Sequence, residues 1–265
     1  MMIIDFHTHY YPDKIVEKAL NKAIEFIKPV TNGTRAGLIE SMQKNNISYS
    51  VALPMVNCPE NARSLNLWAS RENHDEIIMF GSVHPQEEKP EETLKYVAEL
   101  GMKGIKVHPE YQNFHFADPR YDRIWSACEE YDLTVLTHTG FDIMFAPPYH
   151  CTPEDVAQVI NRHPRLKLVA AHCGGMRMFD EVEKHLCGKN VYFDLAFMNS
   201  MNIDAEVLNR LLQRHNEDLI LYGSDSPWCD QAEMIKIVYN LSISDEAKEK
   251  IFSENARKLL KIEKK

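Results

Sequence analysis

The chain opens with MMIIDFHTHY (residues 1–10), a short apolar run ending in two histidines one residue apart. In an extended strand, side chains two residues apart leave the same side. His7 and His9 can then present both imidazoles to one ion, whereas a helix would turn them to different faces. Alone, the pair could be surface decoration, a structural pair or half of a metal site. What decides is whether the rest of the chain repeats the arrangement: an apolar run, then a group that binds metal or moves a proton.

It does. Apolar runs at 2–6, 48–54, 77–83, 103–108, 133–138, 166–172, 190–195 and 218–223 are nearly continuous rather than alternating. That is the pattern of parallel strands covered on both faces. Helical patterns lie between them. Pro12-Asp13 precedes KIVEKALNKAIEFIK, and Asp118-Pro119 opens a helix carrying YDRIWSACEEY. Thr152-Pro153 opens EDVAQVINRH with Asp155 as capping-box acid, and Ser253 is placed to cap the last helix. Eight strands alternating with eight helices predict an α/β protein of one domain over 1–265. The same alternation allows a doubly wound open sheet, but eight units in one domain favour a closed (β/α)8 TIM barrel. There the chemistry gathers at the C-terminal ends of the strands.

Those ends carry His7 and His9, His84, Lys106 and His108, His138, His172, Asp194 and Asp225. By contrast His74, His163, His185 and His215 fall near helix ends, where solvent exposure or C-capping accounts for them. Imidazoles with a carboxylate are the usual ligands of zinc and related divalent ions, so His7, His9, His138 and Asp225 read as a metal set. Asp225 can also act as general base on a metal-activated water. His172, in AAHCGGM, is a ligand to a second ion or an acid/base and carbonyl polariser; the bland alternative is a core histidine. Lys106 is costly to bury as a free cation. It is therefore paired with an acid or snorkelling to the rim, a clamp on a substrate carboxylate, or a carboxylated bridge between two ions. Asp5 shares the strand parity of His7 and His9 and is expected to orient a ligand from behind. Ser224 and Ser226 lack the context of a serine nucleophile.

The totals exclude several classes. A net charge of -9 and no basic patch argue against nucleic acid as a partner. No apolar stretch approaches membrane-spanning length. Six scattered cysteines without a C-x-x-C pair, and no apparent secretory signal, point to a reducing, cytoplasmic compartment.

Together DFHTH, GIKVHP, the DPRYDRIWSACEEYDLTVLTHTG block, LVAAHCGG, YGSDSPW and ENARKLL resemble the amidohydrolase superfamily. Within it they resemble the amidohydrolase-related (amidohydrolase 2) group, which includes aminocarboxymuconate-semialdehyde decarboxylase, resorcylate-type decarboxylases and lactone hydrolases. The resemblance implies one divalent ion, Zn2+ or another metal, held by His7, His9, His138 and Asp225. In two-metal members His172 would join His138 on a second ion, with the strand-four lysine, here Lys106, as bridge. At 265 residues the chain is expected to be shorter than the named decarboxylases.

The leading expectation is hydrolysis of an amide, lactone or ester-like bond by metal-activated water. Asp225 or His172 would take the proton, and Lys106 or Arg177 would hold a substrate carboxylate. The alternative is non-oxidative decarboxylation of a small aromatic or enol-type acid, with His172 or Asp225 protonating carbon. An inactive barrel that binds a small molecule is the third reading. The expected partner is a small-molecule substrate, with Tyr149 and His150 in the 141–156 loop as pocket candidates. A homodimer is compatible with the resemblance.

Overall fold

Ile4 and Phe6 leave one side of the first strand and join Val51, Leu53, Phe80, Leu136, Val169, Ala171 and Leu221 in one buried cluster. Contributions from so many strands to one cluster require the strands to stand in a ring. In this computed structural model, which describes residues 1–74, 76–199 and 201–263, that ring is β1 (Ile4–Thr8), β2 (Tyr49–Ala52), β3 (Ile77–Met79), β4 (Gly81–Ser82), β5 (Gly104–Val107), β6 (Thr134–Thr137), β7 (Leu168–Ala170), β8 (Tyr192–Asp194) and β9 (Ile220–Leu221). All neighbours pair in parallel, as β1-β2-β3 and as β4 through β9 in order.

The expected third run is thus interrupted at Phe80, so β3 and β4 together fill one barrel position. The Phe80 ring meets Phe6 edge-on in the lumen, with centroids 5.8 Å apart. The ring closes where Phe6 N–H donates to Tyr222 O at 2.8 Å, and where Thr8 bridges to Ser226 in parallel. The fold is the expected α/β TIM barrel. Ala256, Leu259 and Leu260 of the last helix (Asn255–Leu260) join the lumen cluster near the strand starts, at the end opposite the histidines. A second, larger cluster, with Leu94, Ile124, Trp125 and Val182, lies between strands and helices.

Several local expectations hold. Thr152 and Asp155 form the reciprocal capping box of the helix Pro153–Arg162. Asp118 accepts from Arg120 N–H at 2.9 Å and starts the 3-10 turn that leads into the helix Asp122–Glu130. Two expectations fail. The long helix expected after Asp13 shrinks to Val16–Asn21, with no buried residue, and Ile24 and Phe26 beyond it stay exposed. A helix this short, without a packed face, has little to stabilise it. Ser253 caps nothing: it lies inside the π-helical turn Lys250–Glu254, and Ser244 is the residue that caps, accepting from Ala247 N–H at 3.1 Å.

β1 carries an irregularity that matters for the site. Its register with β2 shifts between Asp5 and Thr8. A bulge re-aims the side chains that follow it. The shift falls after Asp5, so it parts His7 and His9 from the parity of Asp5, and Asp5 does not sit behind a histidine ring as that parity suggested. Its carboxylate accepts from Ser224 N–H (2.9 Å), Ser224 Oγ–H (2.6 Å), Gln231 Nε2–H (2.7 Å) and His7 N–H (3.2 Å), tying β1 to the segment after β9. Burial pushes its pKa up to about 7 against these hydrogen bonds.

Candidate metal centre

His7 ends the re-aimed part of β1 and is buried. Its Nδ1 lies 2.8 Å from Asp194 Oδ2. An ionised carboxylate only accepts, so Nδ1 carries the hydrogen and Nε2 the lone pair. His9 repeats the logic: Nδ1 faces Leu53 O at 3.0 Å, which leaves Nε2 bare. The two bare nitrogens face each other at 3.2 Å. Lone pair against lone pair is an arrangement that a shared cation relieves. Asp225 Oδ1 completes the group, 3.1 Å from His9 Nε2 and 3.6 Å from His7 Nε2. Ligands about 2.0–2.1 Å from a tetrahedral zinc lie roughly 3.3 Å from one another, the spacing seen here. The donor set therefore fits a divalent ion.

The same bookkeeping applies on the other side of the mouth. His172 Nδ1 faces Ala196 O at 3.1 Å, and His138 Nε2 faces Phe141 O at 3.2 Å. Both carbonyls fix the outer nitrogen as N–H. That leaves His172 Nε2 and His138 Nδ1 as lone-pair atoms, 3.0 Å apart. The expected quartet is thus not one cluster. His7, His9 and Asp225 bring donor atoms within 4.8 Å of one another, while His138 pairs with His172. The two sets adjoin, since the His7 and His172 rings stand 5.2 Å apart.

A third group of potential ligands, His108, His138 and Asp142, is geometrically close but badly aimed. The His108 and His138 rings stack at 4.3 Å and 10°. Imidazole lone pairs lie in the ring plane, so those of stacked rings run parallel and do not meet on one ion.

Electrostatics agree with this division. Burial, then the Lys106 charge, pushes His7 well below its ordinary value. Burial lowers His138 to about 3 and His172 to about 4, with neighbouring histidines adding to the effect. All three are neutral donors at neutral pH. Burial would raise Asp225, but the His7 and His9 side chains outweigh it and hold the carboxyl well below its usual range.

Backbone strain marks the same residues. His172 and Cys173 have φ of 59° and 55°, and Asp225 has 69°. Left-handed φ is uncommon for residues with a side chain and is concentrated at functional sites. Asp194 holds the first two in place. Its Oδ1 accepts His172 N–H at 2.9 Å and its carbonyl accepts Cys173 N–H at 2.7 Å. Asp194 therefore orients both His7 and His172. Its strand-end position was visible in the sequence; its hub role was not. Asp225 N–H donates to His7 O at 2.7 Å.

Lys106 lies in β5 and is 3% exposed. Among the described residues its Nζ has neither a hydrogen bond nor an ion pair. Burial lowers its pKa to about 8, and Asp225, Asp194 and Asp142 partly offset that. The paired-lysine reading does not hold; an unpaired cation beside the metal set does. His84 is not part of the site: its backbone N–H donates to Glu87 and its Nδ1 accepts from Gln86 N–H. Arg177 is exposed, stacks over Phe141 at 4.6 Å and donates to Asn202. His150 contacts Glu110 at 3.3 Å. Tyr149 lies edge-on to Phe141, with ring centroids 6.1 Å apart. Asp142, which no sequence signal singled out, comes within 3.3 Å of His108 Nε2. Ser224 is committed to Asp5.

A family model described as Amidohydrolase (Amidohydro_2) matches residues 4–262. The chain belongs to the amidohydrolase family. Among solved structures it is similar to 5-carboxyvanillate decarboxylase from Sphingomonas paucimobilis, at 12% identity and a TM-score of 0.77 over 99% of each chain. It is similar to 2,6-dihydroxybenzoate decarboxylase from Rhizobium, at 17% identity and 0.74 over 99% of each chain. A third is dihydroxybenzoic acid decarboxylase from Polaromonas, solved with manganese and 2-nitroresorcinol, at 15% identity and 0.73 over 99% of this chain and 98% of that one. These likenesses establish a shared fold. They run nearly end to end, so the expected shortness of this chain does not correspond to a missing part of the barrel.

Proposed function

We propose that this protein is a metal-dependent, non-oxidative decarboxylase of a small aromatic or enol-type carboxylic acid. The observation that carries the reading is the buried, unpaired Lys106 ammonium facing a neutral-histidine and carboxylate donor set. That pairing asks for an anionic substrate next to a cation. The likeness to decarboxylases of 5-carboxyvanillate, 2,6-dihydroxybenzoate and dihydroxybenzoic acid supports decarboxylation over the hydrolysis that the sequence put first.

In this reading His7, His9 and Asp225 hold the ion, the bare Nδ1 of His138 is a further donor toward it, and His172 adjoins. When bound, the ion supplies positive charge to substrate oxygens. Lys106 pairs with the substrate carboxylate and fixes its orientation. The C–C bond breaks heterolytically, carbon dioxide leaves and the electron pair stays on the ring or enol carbon. His172 Nε2, loaded with a proton from solvent, delivers it to that carbon while Nδ1–H stays on Ala196 O. Asp194 keeps His172 in position throughout. The low exposure of Lys106 and His172 keeps bulk water from competing for the charge.

The test is a screen of metal-reconstituted protein against hydroxybenzoates, carboxylated vanillates, lactones and amides. Carbon dioxide release is expected, with one deuterium appearing at the vacated carbon in D2O. Turnover of a lactone or amide, with no carbon dioxide from any acid, would replace this reading with hydrolysis.

A further inference from the structure

The loop after β6 does more than cover the site. Phe141 O accepts the hydrogen of His138 Nε2 and so decides that Nδ1 faces His172. Phe141 is a backbone contributor, so something must hold its carbonyl in place. On one side Phe141 N–H donates to Met176 O at 2.9 Å and Arg177 lies over the ring. On the other side, the next residue is Asp142. Its Oδ1 accepts Met144 N–H at 2.8 Å and its Oδ2 lies 3.3 Å from His108 Nε2.

His108 is well placed to anchor the loop. Its backbone N–H is fixed by Gln112 Oε1 at 2.9 Å. Gln112 Nε2 in turn donates to Val56 O and Val83 O, each at 2.8 Å. The ring is stacked on His138 and lies edge-on to Tyr111. Its Nδ1 is buried with no hydrogen-bond partner among the described residues. Asp142 is therefore the polar attachment of this ring. Tyr111 adds a second fastening, through Met144 Sδ at 2.9 Å and the Phe145 ring at 5.0 Å.

We propose that His108 and Asp142 are positioning residues for His138, forming a latch that holds the Phe141 carbonyl on Nε2 and thereby keeps Nδ1 bare for a cation. Neither needs to touch the ion. The inference rests on the metal reading of the site, but its first readout does not require metal.

The experiment uses full-length protein labelled with 15N-histidine and freed of metal. In the wild type, His138 should show a protonated Nε2 and a bare Nδ1, the reverse of His7, His9 and His172. In Asp142→Ala and His108→Leu the His138 signals should move toward a mixture of tautomers. Zn2+ affinity, measured by competition with a chelator, should fall about 10–100-fold, as when the outer partner of a metal-binding histidine is lost. Asp142→Asn retains an acceptor oxygen and should restore most of the effect. A wild-type His138 protonated on Nδ1, or an Asp142→Ala protein with unchanged tautomer and Zn2+ affinity, would overturn the latch. Should Asp142→Ala fail to fold, His108→Leu and the wild-type tautomer decide the matter. Absence of Zn2+ binding by the wild type would instead remove the metal reading, leaving the tautomer measurements to judge the latch alone.

Discussion

Lys106 shows how much one residue's surroundings decide. A surface lysine would be charged across the whole physiological range, but burial brings this one to about 8. Below that pH it is a cation able to hold a carboxylate; above it the charge is lost and so is the hold. KM for an acidic substrate is expected to rise as pH passes about 8, and Lys106→Met should raise KM below that pH and remove the dependence. The expected size is about ten- to a hundredfold, since a hydrogen bond to a charged group contributes about 1.5–3 kcal/mol. Steady-state kinetics from pH 6 to about 9 would check both. A KM that ignores pH and substitution would argue that Lys106 does not touch the substrate.

Among the elements, the two loops after β6 and β7 are fitted against each other with no room to spare. Gly140 has φ of 87°, and a Cβ there would come within 2.6 Å of Met176 N and O. Gly101 has φ of 77° with nothing within 4 Å. Alanine at Gly101 thus meets only the backbone cost of a left-handed residue, about 1–2 kcal/mol. Alanine at Gly140 meets that cost and a clash with main chain that cannot step aside. Denaturant midpoints should therefore fall clearly further for Gly140→Ala than for Gly101→Ala. Equal losses would show that the close approach at Gly140 is relieved cheaply.

For the whole molecule, the proposed metal donors come from distant parts of the chain, so binding an ion would tie the end of β1 to the segment after β9. A ligand that binds only the folded state stabilises it by about 2.7 kcal/mol at a hundred times its Kd. For a chain of this size that corresponds to roughly 5–10 °C in Tm. Chelation should lower Tm by that amount and Zn2+ or Mn2+ should restore it. His9→Ala and Asp225→Asn should bind metal much more weakly and show a correspondingly smaller shift, measured by calorimetry and metal analysis. A full shift in either variant would contradict their place in the donor set.

The sequence by itself determined the alternation of strands and helices, the barrel and the strand ends where the chemistry sits. Those properties follow from local patterns: apolar runs of strand length, caps such as Thr152 and Asp155, and groups such as His7 and Asp225 placed just after the runs. It also suggested the donor types, because imidazole and carboxylate at converging ends have few other uses. Only the tertiary structure decided how the donors divide. The register shift after Asp5 parted the histidines from it, and the burial of Asp194 made it the partner of both His7 and His172. Three backbone carbonyls, of Leu53, Phe141 and Ala196, chose which nitrogen of His9, His138 and His172 stays bare. A carbonyl belongs to every residue, so no residue type announces it. Its direction depends on how loops far apart in the chain are packed together.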